Sequence, residues 1–374
     1  MKKVYVVTAS INELKGLKEL LARSKGNVNK IIIIDEGESL LRKRNEKLFK
    51  EHEVNFYGPR EREEWFKKRF GANYEKYLSI IPERCHAEIS FGYLIAYEEG
   101  ADVIIEIDDD VYPVENNDII LDHLYNLDNT LGMKVNSSNK WYNTLENLFL
   151  YFNAQLYPRG YPYGIRRNKV EYTWRMEGGE CSLNMGLWIG CLDLDALTLI
   201  LYSALDGRFY VKNGGLKRRK VIVDKGTYFP VCSMNTSFKR EIIPAFYQLY
   251  MNFNGVDRYD DIWSGVFLKK IVDHLGDKMC LGAPLVYHDK RPRNVFSDLV
   301  KEIRGLELNE ILWKLVNKVE IDGKTYLDAY RSLIEKLNRK THYHNNIINN
   351  NYKKIINIQL EKMMLWTEVI DYIL

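Results

Sequence analysis

The sequence predicts an α/β protein, a mostly parallel central sheet flanked by helices, followed by a helical C-terminal subdomain. Three observations predict it. Short, uniformly apolar, β-branched runs alternate with helical periodicity in the first third of the chain, three of these runs end on polar or acidic residues, and the last 77 residues are helical in pattern and rich in Lys and Asn. Apolar strands without alternation belong to parallel sheets covered on both faces, and such sheets bind ligands beyond the carboxyl ends of their strands.

The elements follow in order. Val4-Tyr-Val-Val-Thr8 reads as a strand, Leu14, Leu17, Leu20 and Leu21 mark the inner face of a helix, and Ile31-Ile-Ile-Ile-Asp35 is the next strand, giving β-α-β. A helix is predicted over Ala87 to Glu99, then a strand over Asp102 to Ile107 that runs straight into Asp108-Asp-Asp110. Residues 150–240, rich in Gly, Tyr, Trp and Arg, predict a loop-dominated region built around a site. Helical periodicity returns over residues 261–276, and Leu285 to His288 reads as a last short strand. These boundaries divide the chain into a domain at 1–297 and a helical subdomain at 298–374, with Asn345-Asn346 and Asn349-Asn-Asn351 as a polar loop between helices.

Composition narrows the function. The chain has 374 residues, 46% of them hydrophobic, enough to bury a full core. Its 54 Lys and Arg against 51 Asp and Glu leave a net charge of only +3, without the concentrated basic face that a nucleic-acid binder needs. The longest apolar runs fall far short of the roughly 20 residues that span a bilayer. The five cysteines (Cys85, Cys181, Cys191, Cys232, Cys280) form no CxxC spacing and read as reduced thiols. Met1-Lys-Lys-Val4 opens directly on a strand pattern, so a cytoplasmic location is expected.

Several residues could carry chemistry. If the strand continues through the acidic triplet, Asp108 and Asp110 share one side, about 7 Å apart at Cα, and Asp109 takes the other. Two such carboxylates can address one hard divalent ion, Mn²⁺ or Mg²⁺, of the kind that bridges protein carboxylates to substrate phosphates; the alternative is a solvated acidic loop. Asp260 and Asp261 stand at the start of a helical pattern, where they either cap it or serve as a general base or as partners for sugar hydroxyls. His288 is either a third metal ligand or a structural histidine. Arg159, Arg166 and Arg167 lie among aromatic and turn-forming residues and could clamp an anion, or could decorate an ordinary surface. Neither GxGxxG nor GxxxxGK[ST] occurs.

Many short blocks in one order carry a resemblance: His86 with Phe91-Gly-Tyr-Leu94, Ile107-Asp-Asp-Asp110, Arg159-Gly-Tyr-Pro162 with Arg166, Gly186-Leu-Trp188, Asp193-Leu-Asp195, Lys225-Gly-Thr227, Phe229-Pro-Val-Cys-Ser-Met-Asn235, Arg258-Tyr-Asp-Asp-Ile-Trp263 and Val286-Tyr-His288. Over about residues 84–310 the sequence resembles the reversibly glycosylated polypeptides, or UDP-arabinopyranose mutases. The resemblance implies a GT-A-like nucleotide-sugar fold and interconversion of UDP-arabinopyranose and UDP-arabinofuranose, or of a related UDP-sugar, with a divalent metal. It makes Asp108, Asp109 and Asp110 the metal and diphosphate motif, matches Arg159 to the arginine that becomes reversibly glycosylated, and matches Arg166 to a second essential arginine. It also places His86 and Asn235 among the expected binding residues. Metal would be held by Asp108, Asp110 and His288, with Asp260 or Asp261 as base. Val111, Gly164, Arg167 and the last 60 or so residues depart from the family pattern. Two other functions remain open: a GT-A glycosyltransferase acting on an external acceptor, and a non-catalytic UDP-sugar-binding scaffold. A UDP-sugar is the expected partner, and a homo-oligomer is compatible with the sequence.

Overall fold

The computed structural model describes residues 2–115, 117–167, 169–343 and 350–374, with only the backbone of 342 and 343. In chain order the elements are β1 (Val4–Ser10), α1 (Lys15–Arg23), β2 (Lys30–Asp35), α2 (Ser39–Leu48), β3 (Val54–Tyr57), α3 (Pro59–Phe70), α4 (Tyr74–Leu78), α5 (Ser90–Glu98), β4 (Val103–Ile107), β5 (Val111–Pro113), α6 (Ile119–Leu127) and β6 (Thr130–Ser137). They continue with β7 (Leu148–Leu150), β8 (Tyr172–Gly179), β9 (Leu183–Gly190), α7 (Ala196–Leu201), β10 (Asn213–Leu216), β11 (Lys220–Val223), β12 (Asn235–Lys239), α8 (Asp260–Leu275), β13 (Met279–His288), α9 (Val295–Asn317), α10 (Tyr326–Tyr343) and α11 (Asn350–Ile373).

Eleven strands form one sheet in the order β3-β2-β1-β4-β12-β9-β13-β11-β6-β8, with β5 paired to β13; β7 and β10 make a separate ribbon. Strands β1 to β4, β8, β9 and β13 point one way, and β5, β6, β11 and β12 the other. The sheet is therefore mostly parallel and flanked by helices, as predicted. Ile31 to Ile34 and Val103 to Ile107 are buried along their whole length, because helices cover both faces of the sheet. Helix α5 lies close against β1 at Gly92, where a Cβ would stand 2.4 Å from Val7 Cγ1.

Residues 150–240 differ from the expectation of a loop-dominated region: β8, β9, β11 and β12 are all strands of the main sheet. The reason is visible in their side chains. Strand β9 is flanked by β12 and β13 and largely buried, so its apolar residues show no alternation. Strand β12 spells Asn-Thr-Ser, which reads as a turn, yet Asn235 and Thr236 are hydrogen-bonded inside the core. Asn235 Oδ1 lies 2.9 Å from Nε2 of the fully buried His123, whose Nδ1 lies 2.9 Å from Asn184 Nδ2. Both ring nitrogens are satisfied by amides, and burial pushes His123 down to about 3, so it stays neutral.

The C-terminal helices pack into the same apolar core as the sheet; Leu308, Leu312, Leu333 and Trp366 are all buried in it. Of the asparagines predicted as a loop, Asn345, Asn346 and Asn349 lie outside the described residues, whereas Asn350 and Asn351 begin α11. Among the described residues no helix is long and apolar enough to cross a membrane.

Candidate active site

The carboxyl ends of β1, β2, β4 and β13 open into one cavity of about 750 Å³, within the range of small-molecule sites. Its lining brings together Asp108, Asp109 and Asp110, His86 from the segment before α5, Asp260 and Asp261 from the first turn of α8, His288 from the end of β13, and Arg159. These predicted residues come from distant parts of the chain. The topology gathers them because like-directed strands end on the same edge of the sheet.

The acidic triplet is not an extended strand. Strand β4 ends at Ile107 and residues 109–110 form a turn before β5, so alternation does not set the side-chain directions. Asp108 Oδ1 faces His86 Nε2 at 3.5 Å, Asp109 Oδ2 accepts the Ile11 N–H at 3.1 Å, and Asp110 Oδ2 faces His288 Nε2 at 3.4 Å. Burial pushes the Asp109 carboxyl up to about 6, with Asp110 adding repulsion. At Asp110 burial acts the same way, but His288 outweighs it and holds the carboxyl below its ordinary range.

His86 is the hub of the acidic wall. Its Nδ1 lies 2.8 Å from Asp260 Oδ2, and its Nε2 lies 3.2 Å from Oε1 of Glu106, a fully buried acid whose other oxygen accepts from the Tyr93 hydroxyl. Burial alone would lower its pKa, but Asp108, Asp260 and Glu106 together hold it well above the ordinary histidine range. Both ring nitrogens face carboxylates, so both keep their protons. Burial pushes Glu106 up to about 7 against the opposing pull of His86. Asp260, by contrast, is held below its ordinary range by His86 despite burial.

Arg159 is pinned rather than free. Its Nε donates to Asp193 Oδ2 at 2.9 Å, one terminal nitrogen donates to the Arg258 carbonyl, and the other lies 3.5 Å from Asp261 Oδ2. Burial works against both ends of the Arg159–Asp193 pair, but their mutual attraction wins, so Asp193 stays ionised and Arg159 protonated. Asp261 is pushed up to about 6 by burial, with Arg159 opposing. The loop that carries Arg159 needs Gly160: its φ is +87° and a Cβ would stand 2.6 Å from Ile262 Cγ2 of α8. Helix α9 holds this loop in place, since Asn309 Nδ2 donates to the Gly160 carbonyl at 2.8 Å and Glu310 accepts from the backbone of Tyr163 and Gly164.

Two predicted residues stand apart from the cavity. Arg166 donates to Asp195 Oδ2 at 3.2 Å and to the Tyr161 carbonyl at 2.9 Å, and its guanidinium stacks 3.5 Å over the Tyr163 ring. Asn235 is buried in β12, where its amide donates to the Pro284 carbonyl at 3.0 Å. Sequence reasoning missed Glu106, Lys290, Arg258 and Arg293 as site groups and gave Asp193 no role. Asp193 and Arg258 stand in the blocks quoted above, and Lys290 follows His288 by two residues. Those spacings are the only signal the sequence offered.

Among the described residues, three metal-ligating side chains bring their ligand atoms within 4.8 Å of one another only at His86, Glu106 and Asp108. His86 already serves there as the cation. His288 is better placed as a ligand: its Nδ1 donates to the Cys191 carbonyl at 2.8 Å, which orients the ring so that Nε2 faces Asp110. Carboxylate oxygens plus one imidazole nitrogen suit a hard divalent ion.

The family model described as "Reversibly glycosylated polypeptide" matches residues 29–370, so the chain belongs to that family. UDP-arabinopyranose mutase 1 of Arabidopsis thaliana is 30% identical over 260 residues, 66% of this chain and 65% of that protein. UDP-arabinopyranose mutase 1 of Oryza sativa subsp. japonica is 30% identical over 259 residues, 67% of this chain and 64% of its own. The match thus spans slightly less than two thirds of these relatives. Among solved structures, glucosyl-3-phosphoglycerate synthase from Mycobacterium tuberculosis aligns with a TM-score of 0.39 at 14% identity, over 83% of this chain and 80% of that one.

Proposed function

We propose that the protein interconverts the pyranose and furanose forms of UDP-arabinose or a related UDP-sugar. Family membership supports the reaction class. The observation that carries it is the cavity itself, where the Asp108 to Asp110 turn faces Arg159 held between Asp193 and Asp261.

Ring contraction requires the anomeric bond to the diphosphate to weaken, the ring to open, and a different hydroxyl to close it while UDP stays bound. Asp110 and His288, 3.4 Å apart, would hold Mn²⁺ or Mg²⁺ with Asp108 across the cavity, and the ion would supply positive charge against the negative charge that builds on the departing diphosphate. Asp261, with its carboxyl near 6, is suited to take the proton of the closing hydroxyl and return it. Asp260 is less suited as a base, because His86 already occupies its Oδ2. Arg159 keeps Asp193 and Asp261 in place and would set positive charge beside the anomeric carbon, or capture it transiently through the terminal nitrogen that now faces Asp261. Arginine is a weak nucleophile, so capture requires a base such as Asp261, 3.5 Å from its terminal nitrogen. Arg166 acts at a distance, shaping the loop through Asp195 and Tyr163.

Incubation with UDP-arabinopyranose and Mn²⁺, followed by chromatography, tests this. A second UDP-sugar peak with no release of UDP is the expected product. Free UDP together with a glycosylated external acceptor would instead define a transferase, and unchanged UDP-sugar would leave a binding role.

A further inference from the structure

The cations that line the cavity are not equivalent. Arg42 is bound to Asp35 at 2.9 Å and to Glu61 at 2.6 Å, Arg258 donates to Glu302 Oε1 at 2.6 Å, and Arg159 is pinned as described. Arg84 is exposed at the rim. Lys290 stands out: it is 2% exposed, it lines the cavity, and its Nζ has no hydrogen-bond partner. Arg293, also in the lining, has among the described residues only Asp298 as an ion-pair partner, at 3.7 Å.

A buried ammonium with three unsatisfied donors is costly, and folding alone gives no reason for it. Among the described residues no carboxylate lies within ion-pair distance of it, and Asp193 acts on it only through space. The group that would satisfy it must therefore come from outside, carry negative charge and offer several acceptor oxygens, which describes a phosphate. Lys290 follows His288 by two residues at the exit of β13, so the amine belongs to the same strand end as the Asp110 and His288 pair.

We infer that Lys290, with Arg293 beside it, forms the anion-binding corner of the cavity and grips the sugar-bearing phosphate of a nucleoside diphosphate. This rests on the reading that the cavity takes a UDP-sugar. It moves the clamp away from Arg159 and Arg166, whose guanidinium groups are already committed to Asp193 and Asp195. Lys290 is a binding residue, and holding the diphosphate after the anomeric bond opens is what keeps UDP available for ring closure.

Isothermal titration of UDP, UMP and inorganic pyrophosphate into wild type, Lys290→Met and Lys290→Arg, with Mg²⁺ present, tests the assignment. Loss of one charge-assisted contact predicts a UDP dissociation constant about 10- to 100-fold weaker in Lys290→Met. UMP affinity should change by less than about twofold, because the first phosphate lies outside the corner, and Lys290→Arg should recover most of the loss. The ligand-free Lys290→Met protein should melt at the wild-type temperature or above it, since an unpaired buried charge has been removed. Equal weakening of UDP and UMP, or a ligand-free variant that melts several degrees lower, would overturn the inference. Wild type that binds pyrophosphate but not UDP keeps the corner and removes the UDP-sugar reading. UDP binding indifferent to Lys290→Met does the reverse.

Discussion

Arg159→Ala is expected to destabilise the protein by about 3–5 kcal/mol and to abolish labelling of the chain by a radioactive UDP-sugar. The guanidinium is nearly buried and serves two carboxylates and a backbone carbonyl at once. Its removal takes from Asp193 and Asp261 their shared ion-pair partner, and the Arg258 carbonyl loses its donor. The Arg258 backbone is itself in the left-handed region, with φ of +65°, so it has little freedom to relax. Arg159→Lys keeps the charge but cannot reach three acceptors in a planar fork, and should fall between wild type and Arg159→Ala. Urea unfolding at neutral pH measures the first effect and autoradiography the second. An Arg159→Ala protein as stable as wild type would show that the pinned geometry contributes nothing to the fold, and one that still labels would place the acceptor elsewhere.

Asp110→Asn is expected to cut metal-dependent turnover by at least about 10²- to 10³-fold, the scale on which a single electrostatic group acts in an enclosed site. Asn is nearly isosteric, so the fold should survive, but the anionic oxygen that faces His288 is lost and with it the proposed carboxylate ligand on that side of the cavity. Asp109→Asn makes the contrast. Its carboxyl is half-buried, raised to about 6 and spent on the Ile11 N–H, so the same substitution there should cost far less. Turnover rates across a manganese titration distinguish the two. Wild-type turnover in Asp110→Asn would remove the metal assignment.

Much of the architecture was readable because buried parallel strands announce themselves. Ile31 to Ile34 and Val103 to Ile105 are apolar without alternation, and the helical period read over 261–276 falls on α8, through Val266 and Phe267. The middle of the chain was opaque for the opposite reason. Strand β12 is polar in sequence because His123, Asn184 and Asn235 build a hydrogen-bonded network inside the core, and one-dimensional patterns equate polar with exposed. Glu106 was hidden in an apolar run, although it is the buried acid on which His86 rests. The strand-end aspartates were legible as a group, but not their division between His86 and His288, which depends on a turn that alternation cannot foresee. Arg166 illustrates the reach of family resemblance: the motif marks the residue, and the packing against Tyr163 and Asp195 places it behind the cavity wall.

The proposed reaction depends on a divalent ion at the end of β4 and β13 that grips the diphosphate of an activated sugar. A crystal grown with UDP and manganese, with data collected at the manganese absorption edge, tests it most directly. An anomalous peak bound by Asp110 and His288, with the two phosphates between that peak and Lys290, is the predicted map. Nucleotide lodged away from this cavity, with the aspartates turned to solvent and no anomalous signal beside them, would contradict it.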